Sequence, residues 1–182
     1  MKSKYFKNAV LSLGFISFMG LVSCSSGDKK HASSETDEVQ HTEAAESSAA
    51  SFEDEKVGQV YADYITLKDA LVESDEKNAG IAAGALQSSL IESSNKKAAD
   101  LAAKIASASS LKAQREPFNA LSAEMEAILK AAKISGGSVY KQYCPMANGD
   151  QGGYWLANEK SIRNPYYGDE MMTCGSVKEE IK

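Results

Sequence analysis

The chain has 182 residues and a formal net charge of −5, from 20 Lys and Arg against 25 Asp and Glu. That balance lacks the basic footprint that neutralises phosphates, so nucleic acid is excluded as the expected partner. It holds only two histidines and three cysteines, so each can be followed individually.

The N-terminus reads as an address. Lys2, Lys4 and Lys7 form a positive region, and an apolar run from Ala9 to Val22 follows. The run is too short for a membrane span and fits a secretory signal peptide. Its end, Leu21-Val22-Ser23-Cys24, resembles a bacterial lipobox. The expectation is that residues 1–23 are a lipoprotein signal peptide and that Cys24 is lipidated. Two acyl chains would hold the protein stably on a membrane. The protein would then be exported and anchored, on the periplasmic face or the cell surface. An ordinary signal peptide with an incidental Cys24 is the plainer alternative. Residues 25–51 hold no aromatic residue and one large aliphatic, Val39. Such a stretch cannot bury enough apolar surface to order itself, and reads as a disordered polar tether. Both histidines, His31 and His41, lie in it and read as solvated rather than metal-bound.

Residues 52–182 read as a single domain, with a helical bundle over 52–135. Val57, Val60, Tyr61, Tyr64, Leu67 and Leu71 recur at three- and four-residue spacing, which predicts a helix from Glu53 to Glu73. Ser74-Asp75 offers a cap for a second helix, marked by Ala79, Ala82, Ala83, Leu86 and Leu90. Ser93-Ser94-Asn95 breaks or caps again, before an Ala-rich stretch from Lys96 to Ser107. Leu111, Phe118, Leu121, Met125, Ile128 and Leu129 give a last amphipathic stretch. Pro117 conflicts with that pattern: either the helix kinks there, or Pro117 opens a helix and the residues before it form a separate piece. The fold class expected is all-α: an antiparallel bundle of three or four helices, then an irregular C-terminal segment rich in aromatics, Cys and Met.

That segment, 136–182, carries the chemistry. Cys144 and Met146 stand two apart, and Met171 and Cys174 three apart, with Met172 between. Thiolate and thioether are soft ligands that select soft metals, Cu(I) above all. If the segment is extended after Cys144, residues two apart face one side; one turn brings Met171 and Cys174 to one face. Cys144, Met146, Met171 and Cys174 are therefore the candidate metal ligands. The rival reading is a Cys144–Cys174 disulfide that braces the segment, with the methionines packed as core. Trp155, Arg163, Asn164, Pro165 and Tyr166 read as its scaffold, with Arg163 and Asp169 either as an ion pair bracing it or as two solvated charges. No Cys-x-x-Cys is present and no histidine lies in the folded domain to activate a thiol, so the chain is not expected to be an enzyme.

Val139-Tyr140, Cys144-Pro145-Met146-Ala147, Tyr154-Trp155-Leu156, Ile162 to Gly168 and Met171 to Gly175 together resemble a bacterial family of exported domains of unknown function. Leu67 to Leu71 and Gln114-Arg115-Glu116 resemble its helical part. Members are fused to, or encoded beside, periplasmic adaptor proteins of heavy-metal efflux pumps. The resemblance implies a lipoprotein accessory to copper or related metal handling, with such an adaptor as partner. The alternative function is a non-enzymatic structural or adaptor module in which the disulfide only braces the C-terminal loop.

Overall fold

The computed structural model describes residues 49–182. The expected signal peptide, Cys24, His31, His41 and nearly all of the expected tether lie outside the described residues. The helices come first. Asp54 caps α1 (Glu55–Val72) by accepting from the Lys56 amide at 2.8 Å, and Asp75 caps α2 (Glu76–Glu92) through the Asn78 amide at 2.9 Å. Each side chain satisfies a donor that the first helical turn leaves orphaned.

Both helices end in the same way. Asp75 N–H returns to Ala70 and Ser74 N–H to Leu71; Asn95 N–H returns to Leu90 and Ser94 N–H to Ile91. These are Schellman turns, with Ser74 at φ 55° and Ser94 at φ 63° in the left-handed position that glycine usually fills. The three-residue connections fold α2 back on α1, and α3 (Lys96–Ala106) back on α2. Pro117 then separates a short α4 (Leu111–Arg115) from α5 (Phe118–Ala131), at whose N-cap it stands. There its missing N–H interrupts no helical bond. The second of the two Pro117 alternatives is the one the chain adopts.

The chain is not all-α. Five strands accompany the five helices among the described residues, and the fold is α+β. Ser51–Phe52 (β1) pairs antiparallel with Ile134–Gly136 (β2). A three-stranded antiparallel sheet follows, formed by β3 (Val139–Cys144), β4 (Gly153–Ala157) and β5 (Ser176–Ile181), with β3 in the middle. The expectation of an irregular C-terminal segment misread its punctuation. Most of its Gly, Asn and Pro residues lie in the turns and loops between short strands, and Val139, Tyr140, Tyr143, Tyr154 and Trp155 are strand formers. One turn, Ala147–Asp150, is left-handed, with Asn148, Gly149 and Asp150 all at positive φ.

The helices close one edge of this sheet. Alternate residues of β4 turn their backbone groups away from β3. Tyr154 N–H donates to Asn119 Oδ1 of α5 at 2.9 Å, and Leu156 N–H to the Tyr64 hydroxyl of α1 at 3.1 Å. The Tyr154 carbonyl accepts from the Tyr166 hydroxyl at 2.7 Å. Side chains thus do for β4 what a neighbouring strand would do.

The core between the layers is an aromatic chain. Tyr64 stacks on Phe118 at 5.6 Å, Phe118 meets the edge of Tyr166 at 5.8 Å, and Tyr166 meets Trp155 at 6.1 Å. Tyr64, Phe118 and Trp155 are fully buried. Backbone approaches closely here: a Cβ on Gly153 would stand 2.7 Å from the Tyr166 ring. Met125 is a core residue, fully buried in α5.

Candidate functional site

β3 ends at Cys144, directly opposite Gly153 of β4. The loop from residue 158 to 175 returns to that end of the sheet and places Cys174 beside it. The two Sγ atoms lie 2.9 Å apart as free thiols. That is longer than a disulfide bond of about 2.05 Å and short enough for one thiol to share its proton with the other. The exposures differ: Cys144 is fully buried, and Cys174 is half-buried. The hydrogen bond to Cys144, aided by burial, raises the Cys174 thiol above its ordinary pKa.

Asn164 holds the returning loop. It is fully buried. Its side-chain amide donates to the Cys174 carbonyl at 2.9 Å, and its Oδ1 accepts from Tyr166 N–H at 2.9 Å. Its backbone N–H donates to Met172, and its carbonyl accepts from Gly168. One buried amide therefore fixes both arms of the loop around Cys174. Two tyrosines flank the pair. Burial, and secondarily the nearby Tyr64 and Cys144, push the Tyr166 phenol well above its usual range. The Tyr167 phenol is raised by burial and then by Cys144, and its hydroxyl donates to the Met146 carbonyl at 2.5 Å.

The methionines are placed unequally. The chain turns after Cys144, and Met146 has helical angles, φ −84° and ψ −10°. The extended alternation that would carry Met146 to the side of Cys144 therefore stops, and Met146 stands 43% exposed while Cys144 is buried. Met171 shares a turn with Cys174, whose N–H donates to the Met171 carbonyl at 3.0 Å. Met171 and Met172 are half-buried. Among the described residues, no group of three or more His, Cys, Asp or Glu is arranged to hold a metal ion.

The scaffold residues are bound in ways the sequence does not announce. Arg163 pairs with Asp69 of α1 at 3.3 Å and reaches Glu73 at 3.9 Å; Asp169, the partner expected for it, is exposed. Fully buried Lys68 binds Asp69 at 2.7 Å and Glu159 at 2.8 Å, so α1 grips the loop at two points. Pro165 is buried, and its carbonyl accepts from Arg115 Nε at 2.8 Å. The same guanidinium caps the C-terminal end of α1 through the Leu71 carbonyl and Ser74 Oγ, and burial lowers its pKa. Arg115 is thus a clamp between two helices and the loop. Its partners stand some 40 to 50 residues away in sequence, so no local pattern points to it.

Trp155 and Gln142 lie on the face of the sheet that Cys144 occupies, opposite one another in register. Trp155 Nε1–H and Gln142 Oε1 are buried with no hydrogen-bond partner among the described residues. Beyond the tyrosines, an open cleft of about 960 Å³ is lined by Lys112, Arg115, Asn119, Gln151, Tyr166 and Tyr167 among others.

Fold and site define an α+β domain in which helical hairpins cover a small antiparallel sheet ending in a dithiol. Residues 60–137 match the model of a family described as a protein of unknown function, DUF3347. The match covers most of the helical layer and ends before β3, so both thiols lie outside it. No curated protein and no solved structure gives a significant match.

Proposed function

We propose that the chain is an envelope lipoprotein accessory to heavy-metal handling. In this reading Cys24 carries the lipid, and the Cys144–Cys174 dithiol takes a soft metal ion such as Cu(I) and hands it to the periplasmic adaptor of an efflux system. The observation that supports it is the convergence of the two thiols at 2.9 Å, one of them half-exposed. The donor set fits the cargo: two thiolates, with the thioethers of Met146 and Met171 between them along the chain, prefer soft ions over hard ones. With metal–sulfur bonds near 2.3 Å, two thiolates on one ion stand roughly 4 Å apart, so loading widens the pair by about 1 Å. Met171, in the same turn as Cys174, is the better placed thioether; Met146 lies at the surface.

The test is a Cu(I) competition titration on reduced full-length protein. Stoichiometric binding is expected, lost in Cys144→Ser; an affinity unchanged by that substitution would sink the proposal.

A second reading rests on the same short separation. An oxidised pair would enclose a loop of about 30 residues and stabilise it by roughly 3–4 kcal/mol on a chain-entropy estimate. The domain would then be a non-enzymatic structural or adaptor module. A thiol count on freshly isolated native protein separates the two: two titratable thiols favour metal capture, none favours bracing.

A further inference from the structure

The two sulfurs differ in access, and that difference sets an order of reaction. Cys144 closes a central strand, is fully buried and faces Gly153 across the sheet. Cys174 sits in the loop and is half-buried. A sulfur electrophile larger than water reaches Cys174 and not Cys144. Once a group is attached to Cys174, Cys144 already lies 2.9 Å from that sulfur, about 0.9 Å beyond the length of a disulfide bond. Asn164 holds the Cys174 backbone in place through the Cys174 carbonyl, and the sheet holds Cys144, so neither sulfur must search for the other.

We infer that Cys174 and Cys144 form an ordered exchange couple, in which Cys174 takes the incoming disulfide and Cys144 resolves it. In the first step the Cys174 thiolate attacks one sulfur of a disulfide R–S–S–R. The R–S–S–R bond breaks, R–S⁻ leaves with the electron pair, and Cys174–S–S–R forms. In the second step Cys144, having lost its proton, attacks Cys174 Sγ. The bond to the R group breaks, a second R–S⁻ leaves, and Cys144–S–S–Cys174 remains. The protein dithiol has lost two electrons and two protons, and the oxidant has become two thiols. Thiol–disulfide exchange proceeds through such a mixed disulfide, and access helps decide which sulfur is attacked. The step is stoichiometric, one turn per reduced protein. It also withdraws both thiolates from a soft ion, so oxidation releases the cargo; that coupling rests on the metal reading above, whereas the order of attack does not.

The order is tested with 5,5′-dithiobis(2-nitrobenzoate), an aromatic disulfide, on full-length protein carrying Cys24→Ser so that two thiols respond. The chain with both thiols should release two thionitrobenzoates per reagent consumed and keep no adduct. Cys144→Ser should release one and keep a mass adduct on Cys174. Cys174→Ser should react at least about tenfold more slowly while folded, and at the same rate as Cys144→Ser in denaturant. Equal folded rates for the two variants, or two stable adducts on the unsubstituted pair, would overturn the order. Brief alkylation with iodoacetamide followed by peptide mapping gives the same readout without substitution: Cys174 labelled first supports the order, and Cys144 labelled first overturns it. Cu(I) supplied to the reduced protein and lost on oxidation supports the coupling; Cu(I) retained by the disulfide form overturns the coupling alone. Protein that never binds Cu(I) but shows the order removes the metal reading and leaves the exchange couple standing.

Discussion

The helical layer and the sheet layer are built by opposite rules. The first two helices are stabilised within themselves, by Asp54 and Asp75 at their starts and a Schellman turn at each end. The sheet is stabilised from outside. Its β4 edge is finished by Asn119 and Tyr64, residues 35 and 92 positions away, and its loop is gripped by Lys68, Asp69 and Arg115. A local element can form before its neighbours do; a sheet whose edge is supplied by helices cannot. The site therefore depends on a helical layer that contributes no sulfur to it.

The difference can be broken at the aromatic joint. Phe118→Ala removes the ring between Tyr64 and Tyr166 and is expected to cost about 3–5 kcal/mol in denaturant unfolding. Because the ring serves both layers, the helical and aromatic circular-dichroism transitions should both shift; a loss confined to one would show that the layers unfold separately. A smaller effect follows from Tyr64→Phe. It deprives the buried Leu156 N–H and Ser122 hydroxyl of their shared partner, at an expected cost of roughly 1–3 kcal/mol. The Leu156 amide should exchange faster with solvent, with little change in mid-helix amides; an unchanged rate there would mean the edge is not held by this bond.

The smallest effect is one of pH. Glu126 of α5 binds Lys130 at 2.7 Å and Lys141 of β3 at 2.7 Å. Burial raises its pKa, but the hydrogen bonds from Lys130 and Lys141 outweigh burial and hold its carboxyl below the ordinary value. A lowered folded pKa means stability that is present above the unfolded value, near 4.3, and is lost as pH falls through the folded one. The stability advantage over Glu126→Gln should be constant at neutral pH and vanish in acid. An advantage that persisted at the acid end would assign it to packing instead.

Much of the helical layer was legible because its signals are local. The apolar spacing from Val57 to Leu71, the Asp75 cap and the Ser93-Ser94-Asn95 break all report on residues within a turn of themselves. The thiol pair was legible by subtraction, once Cys24 is set aside as part of the expected address. The sheet was not: Tyr140 finds Ala157 on one side and Glu180 on the other, and nothing within five residues of Tyr140 encodes either partner. Arg163 pairs not with Asp169, which is near it in sequence, but with Asp69, 94 residues away. The placement of Met146 failed for a different reason. Pro145 favours an extended Cys144, but that preference does not carry past the proline, and the chain turns.

Trp155 is the chain's single tryptophan. It is fully buried in β4 and packs against Tyr166. Excitation at the red edge of the absorption band, where tyrosine is silent, therefore reads one fluorophore, seated on the sheet face that Cys144 shares. The molecule carries its own optical probe of that layer, and a change of emission on oxidation or metal loading would report on the sheet in the intact protein without attaching a dye to the thiols under study.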